Sequence, residues 1–203
     1  EAELREALEF LTRVNRLFGG VSNVLDLFKV WSRSWTRGQR VTVLDVGSGA
    51  GDIAAALASW GRSRGFDLRV TGIDAAAGAA ASGDPAVELV RADLFDFARS
   101  ARRFDYVISS MTLHHIPEER QAEALLACDR LARRGVAVVD LERSLPAYWS
   151  VKLLTWLFGG RVTRCDGPLS VRKGFREEEL AALARRARLG YLEVRRRPFF
   201  RLS

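Results

Sequence analysis

Residues 41–52 read VTVLDVGSGAGD, a run of β-branched and aliphatic residues that ends in an acid and opens at once into a glycine-rich turn. Val41, Val43, Leu44 and Val46 suit a strand buried in a parallel sheet. Gly47, Gly49 and Gly51 let the backbone turn sharply and approach a ligand with no Cβ in the way. The alanine- and leucine-rich stretch from Ile53 to Trp60 is the predicted following helix, whose first amides would face the anionic end of a ligand. Strand, glycine loop and helix in this order describe a nucleotide-type site. In a dinucleotide loop, Gly-x-Gly-x-x-Gly, the last glycine would fall where Asp52 stands, which weakens a nicotinamide reading. Asp45 beside the loop is a poor host for a pyrophosphate and suits a ligand bearing an ammonium group. A tight turn that binds nothing is the alternative for a glycine loop taken alone.

Neighbouring segments decide between these. LRVTGID (68–74) is a second apolar strand ending in an acid, where a carboxylate can accept hydrogen bonds from both hydroxyls of a ribose. VELVRADL (87–94) is a third, ending in Ala92-Asp93-Leu94, and FDYVISSMTL (104–113) is a fourth that runs into His114-His115-Ile116-Pro117. Each polar residue falls at the C-terminal end of its strand, the edge at which open α/β sheets bind ligands.

Taken together, these residues resemble the class I S-adenosylmethionine (SAM)-dependent methyltransferases over about residues 41–141, and more loosely to residue 203. The resemblance implies an α/β, Rossmann-like, doubly wound and mostly parallel seven-stranded sheet, with an N-terminal helical cap and a helical lid inserted after the fifth strand. It implies that Asp45, Gly47, Ser48 and Gly49 line the methionine part of SAM, and that Asp74 binds the ribose with Ala75 beside the adenine. Asp93 would bind the adenine amino group next to Leu94, and Ser109 would lie near the methyl-bearing end. The product would be S-adenosylhomocysteine (SAH). More narrowly, the small size and the Ser-Ser-Met-Thr-Leu-His-His segment look like small-molecule methyltransferases akin to the quinone-biosynthesis enzymes, with Met111 expected at the acceptor.

Composition bounds the other classes. The 203 residues, 48% hydrophobic, suffice for one well-buried core, and no run of eighteen apolar residues exists. The opening residues form an acidic amphipathic segment rather than a signal peptide, so the expectation is a soluble, cytoplasmic protein. Cys128 and Cys165 do not form a metal-like pair; Cys128 falls on the apolar side of Leu125, Leu126, Leu131 and Ala132, so reduced thiols and no metal site are expected. The net charge of +7 rests on arginine, since only Lys29, Lys152 and Lys173 are lysines. The densest cluster, Arg185, Arg186, Arg188, Arg195, Arg196, Arg197 and Arg201, could be a solvated face or an RNA track. It lacks the interleaved aromatics of a single-strand platform, and the chain has no Asn-Pro-Pro-Tyr or Asp-Pro-Pro-Tyr motif. An RNA methyltransferase and a non-catalytic SAM-binding module are therefore the competing readings.

The organisation expected is a helical cap over residues 1–40 and a core over 41–203 that carries a lid at 144–175. Leu4, Leu8, Leu11, Val14 and Phe18 recur at helical spacing, stopped by Gly19-Gly20, and Val24 to Trp31 predicts a second helix. By the resemblance, the segment before the core folds over the cofactor, so Asn15 and Arg16 could face the methionine carboxylate. The crossover between Asp74 and Val87 has only twelve residues, too few for a full helix. Pro117 to Arg130 predicts a helix closed by Gly135, Val136 to Leu141 a fifth strand, and Glu177 to Leu189 a last helix. Tyr191 to Val194 and Phe199 to Leu202 are the expected closing strands. In the lid, Trp149, Val151, Leu153, Leu154, Trp156, Leu157 and Phe158 are apolar on nearly every side, which fits burial in the core, a lipid surface, or cover over an oily acceptor. Trp149 and Trp156 are its candidate acceptor contacts, and contact with a membrane surface stays open.

The implied chemistry is SN2 transfer of a methyl group from a sulfonium, which needs alignment and, for an oxygen acceptor, removal of a proton. No metal is required. The sequence holds two histidines, His114 and His115, and both end the fourth strand. One of them is the only imidazole base on offer for a phenol, with Glu142 the runner-up; pairing with backbone at the strand-to-helix turn is the alternative role. A small apolar, aromatic or phenolic acceptor is expected, with O-methylation favoured over C-methylation.

Overall fold

The computed structural model describes residues 19–76 and 83–203. The amphipathic stretch 4–18, including Asn15 and Arg16, lies outside the described residues, as does half of the short crossover, residues 77–82. Helix α1 (Gly20–Trp31) leads into strand β1 (Arg40–Val46), followed by α2 (Asp52–Ser63), β2 (Asp67–Asp74), β3 (Val87–Arg91), α3 (Leu94–Phe97), β4 (Phe104–Ser110), α4 (Glu118–Leu131) and β5 (Ala132–Leu141). After these come α5 (Leu145–Phe158), α6 (Arg161–Lys173), α7 (Glu177–Arg186), β6 (Arg196–Arg197) and β7 (Arg201–Leu202).

One seven-stranded sheet runs β3-β2-β1-β4-β5-β7-β6. Its first five strands are mutually parallel, and β7 is antiparallel to both β5 and β6. Strand order reverses between β1 and β4, so their C-terminal ends open the crevice in which such sheets bind ligands. Alternation along β1 feeds two cores: Leu44 and Val46 pack with Ile73, Val107, Leu125 and Leu131, while Val41 and Val43 pack with Leu57, Val70, Ile108 and Val139 on the other face. Helix α1 is built into the second core. Phe28 is fully buried and meets the rings of Trp31, Trp35, Trp60 and Tyr106 edge-on, and Trp35 Nε1–H donates to the Tyr106 hydroxyl at 3.1 Å.

Four expectations are corrected. Gly135 does not close a helix; α4 ends at Leu131 and β5 begins at the next residue, placing Gly135 within the strand beside a register shift against β4. A side chain there would press on Tyr106 and Trp31, with a Cβ 3.3 and 3.4 Å from their ring atoms. The lid is two helices rather than one apolar helix: Ser144 caps α5 by accepting from the Ala147 amide, and Gly159-Gly160 breaks the chain before α6. The last helix stops at Arg186, and Arg188 takes a left-handed φ of 59°. The closing strands are two residues each. Pro198 has no amide to donate, and Phe199 and Phe200 stand at φ 62° and 54°, so the turn consumes residues expected to pair.

Candidate active site

The loop after β1 is tied to β2 by its backbone, with the Gly47 and Ser48 amides donating to the Ile73 carbonyl at 2.8 and 3.0 Å. Gly47 has φ 72°, and a Cβ there would sit 2.1 Å from Thr112 Oγ1, so no larger residue fits. At Gly49, φ 53°, a Cβ would meet nothing within 4 Å, so the loop is held open on that side. The Gly49 amide donates to Asp74 Oδ2 at 2.9 Å, and Asp74 Oδ1 accepts from Ala76, so this carboxylate both fixes the loop and stands at the end of β2. Asp45 is buried beneath the loop and lines neither cavity described below. Burial, and then the charges of Asp52 and Asp74, push its carboxyl up to about 8. A cationic ligand group at the loop would relieve that repulsion, which fits the ammonium and sulfonium of SAM.

Two cavities meet at this loop. One, of about 410 Å³, is lined by Gly47, Asp74, Ala75, Asp93 and Leu94 together with Phe95 and Ile116. This brings together the residues expected around the nucleoside. Asp93 Oδ1 also caps α3, accepting from Phe95 and Asp96, which leaves its other oxygen for a ligand. The second cavity, of about 210 Å³, lies between Ser48-Gly49-Ala50 and the lid, walled by Leu141, Val151, Leu154 and Val171. Gly47, Met111 and His115 line both. Met111 takes a left-handed φ of 60°, an unfavourable conformation for a residue with a side chain, at the point where the cavities join.

His114 lines the smaller cavity, and its Nδ1 lies 2.6 Å from Asp140 Oδ1. Asp140 ends β5, is fully buried, and also accepts from the backbone amides of His114 and Leu141. An ionised Asp140 assigns the proton to Nδ1, so Nε2, buried without a partner, carries the basic lone pair. The His115 ring lies tilted against His114, 4.0 Å between ring centroids, and burial first, then positive charge on His114 whenever that ring is protonated, lowers its pKa. Among the described residues, no group of three His, Cys, Asp or Glu side chains could hold a metal ion.

Several expectations fall elsewhere. Ser109 is buried but lines neither cavity; the next residue, Ser110, lines the smaller one because successive strand side chains point to opposite faces. Trp149 and Trp156 are 60% and 64% exposed and line neither cavity, since α5 turns Val151, Leu154 and Thr155 inward instead. Arg16 lies outside the described residues. Glu142, the alternative base, pairs with Arg196 and lines no cavity with the histidines. The arginine cluster is not one free face: Arg195 pairs with Glu193, Arg196 with Glu142 and Glu177, and Arg201 is buried in the smaller cavity. Burial pushes the Cys128 thiol up to about 12, so it is inert. The sequence puts Asp140 at the ligand edge after the fifth strand and Arg201 in the arginine cluster, and gives neither a role in the site.

Residues 43–135 match the family model described as methyltransferase domain. A structure from Aquifex aeolicus, described as a SAM-dependent methyltransferase, is 18% identical with a TM-score of 0.60, the match covering 96% of this chain and 93% of that one. Magnesium protoporphyrin IX methyltransferase from Synechocystis PCC 6803, with bound SAH, is 18% identical with a TM-score of 0.54 over 89% of this chain and 80% of that one. The plantazolicin methyltransferase BamL, in complex with a triazolic desmethylPZN analog and SAH, is 19% identical with a TM-score of 0.57 over 72% of this chain. The present chain spans about half, 53%, of BamL. No curated protein matches in sequence.

Proposed function

We propose that this chain, which has the class I SAM-dependent methyltransferase fold and matches a methyltransferase-domain model over residues 43–135, moves a methyl group from SAM to an oxygen of a small aromatic acceptor. The observation that carries this reading is the junction of two cavities at Gly47, Met111 and His115. The larger has the strand-end acids suited to a nucleoside, and the smaller has apolar walls and a buried histidine. Calorimetry with SAM and SAH tests it: micromolar binding of either is expected, and binding of neither refutes it.

In this reading Asp74 and Asp93 hold the nucleoside, and Gly47, Ser48 and Gly49 let its methionine part approach the backbone. When bound, SAM supplies an electrophilic methyl group whose bond to sulfur breaks as the bond to the acceptor oxygen forms. The protein's own part is alignment and proton removal. His114 Nε2 takes the proton of the acceptor hydroxyl, and Asp140 holds the ring in the productive tautomer and stabilises the imidazolium. The apolar walls given by Met111, Leu141, Val151 and Leu154 select a flat, hydrophobic ring. The cavity, about 210 Å³, is shared in this reading: its Gly47, Ser48 and Gly49 side takes the methionine part of SAM, and its Met111, Leu141, Val151 and Leu154 side takes the acceptor.

The lid has a second side. Leu145, Trp149, Leu153 and Trp156 are all more than half exposed and recur along α5 at spacings of three and four, with Leu157 and Phe158 beside them. Residues 145–173 carry five basic side chains against one acid, Asp166. An anionic bilayer is the partner that this pairing of greasy face and basic rim fits. The outward face of α5 is thus read as a membrane contact beside the acceptor cavity. No described helix is long and apolar enough to cross a membrane.

A further inference from the structure

Arg201 stands on β7 and is 4% exposed, yet its Nε is buried without a hydrogen-bond partner. Among the described residues it forms no ion pair either. The charge that bears on it is Asp140, whose oxygens are already engaged by His114 Nδ1 and by the His114 and Leu141 amides. A guanidinium is rarely taken out of water without a carboxylate or phosphate in its fork. Burial lowers its pKa to about 10, so it remains cationic at neutral pH.

Arg201 is also not alone. Ser110 Oγ and His114 Nε2 are buried without partners, and all three residues line the same 210 Å³ cavity. A native fold leaves few such atoms, and three around one space describe what should fill it. The guanidinium donates and is positive, the imidazole nitrogen accepts, and the serine hydroxyl does either. The complementary ligand therefore presents an anionic oxygen to Arg201 and a hydroxyl to His114. Two acids line the cavity as well: Asp52, at the start of α2 beside the glycine loop, and Asp166, on the exposed side of α6. Neither is among the charges that bear on Arg201, of which Asp140 is the one that acts.

We infer that the acceptor is an aromatic hydroxy acid, its carboxylate seated on Arg201 and its hydroxyl delivered to His114. This deepens the methyltransferase reading and rests on it. It also gives the proton step a direction. The hydroxyl proton moves to His114 Nε2, and the oxygen's electron pair is then free to form the new bond to carbon. Arg201 balances the carboxylate, which would otherwise oppose making a second negative charge on the same ring.

The test uses the whole chain saturated with SAH and measures binding of benzoate, the three hydroxybenzoates, benzyl alcohol and phenol. At least one hydroxybenzoate is expected to bind ten-fold or more tighter than phenol, and benzoate tighter than benzyl alcohol. Arg201→Gln should abolish that preference, and Arg201→Lys should keep part of it, each variant being measured at its own SAH saturation. Because the wild-type comparison needs no variant, a folding defect in Arg201→Gln leaves the test intact. Equal affinity for acids and neutral analogues, or binding of no probe while SAH is bound, overturns the assignment of an acidic acceptor. Failure of SAH itself to bind would instead overturn the methyltransferase reading.

Discussion

His114 and Asp140 face each other at 2.6 Å with side chains 1% and 0% exposed, the one from the turn after β4 and the other from the end of β5. Adjacent parallel strands place the two residues side by side. The shared edge is also where the two cavities join, so proton-accepting geometry and ligand position have one structural cause.

The dyad can be tested by tautomer. Asp140→Asn keeps the shape but donates or accepts without charge, so it no longer fixes the proton on Nδ1 and no longer stabilises an imidazolium. Turnover should fall by about 10²–10⁴, and His114→Gln should fall similarly, while SAH affinity changes little. The two losses should not add, because the residues act as one unit. Unaltered turnover in both would leave alignment as the whole of catalysis.

Asp74 does two things at once, since it receives the Gly49 amide as well as standing where a ribose would bind. Asp74→Ala should weaken SAM binding by about 1–3 kcal/mol, the cost of leaving buried polar groups unpaired. Asp74→Asn should lose less, because its carbonyl can still accept from Gly49. Calorimetry of both variants checks this, and equal affinity for wild type and Asp74→Ala would remove Asp74 from the site.

Much of this arrangement was legible in the sequence, and the parts that were not share a physical reason. Asp45, Asp74 and Asp93 could be placed because each follows an apolar run that can only be a buried strand, and strand ends of one hand lie on one edge. The sequence points to Ser109, whereas Ser110 lines the cavity, because parity along a strand decides which face a side chain takes, and parity depends on register with neighbours. Gly135 looked like a helix stop because the chain passes from α4 to β5 with no intervening loop. Arg201 resembled the solvated arginines around it; only the two-residue antiparallel pairing of β7 with Asp140 and Leu141 puts it inside. Trp149 and Trp156 could not be oriented at all, since a helix that is apolar all round does not say which side faces in.

Apoprotein stability should carry the signature of Asp45. Its carboxyl titrates near 8 when folded against an ordinary value of 3.8, so between those values the folded state holds a proton that the unfolded chain has lost. The stabilisation from that proton is complete below the ordinary value and disappears as pH rises through about 8. Asp45→Asn removes the titration while keeping the shape. Its thermal midpoint should rise relative to wild type as pH goes from about 5 to about 9, by several degrees if roughly 1–3 kcal/mol is involved. Saturating SAH should flatten the wild-type profile, because its ammonium favours the ionised acid. A midpoint difference that does not move with pH would mean Asp45 is not the titrating group.

The outward face of α5 yields a prediction that separates a bilayer from ordinary surface. Trp31, Trp35 and Trp60 sit in the aromatic core around Phe28 and Tyr106, whereas Trp149 and Trp156 are exposed, and Lys152 Nζ lies 4.8 Å from the Trp149 ring. Tryptophan emission should therefore shift to the blue when the protein meets a membrane, and the shift should come from α5. Anionic basic-residue pairing contributes about 1 kcal/mol per Lys or Arg near the surface and is screened by salt, so vesicles of phosphatidylglycerol should bind and vesicles of phosphatidylcholine should bind far less. Added salt should weaken the first. The double variant Trp149→Ala, Trp156→Ala should lose both the shift and co-sedimentation while still binding SAH. Should the wild type instead show no vesicle response but a concentration-dependent dimer that buries the same tryptophans, α5 is a protein interface; with neither, its exposed rings have no partner and the membrane reading is wrong.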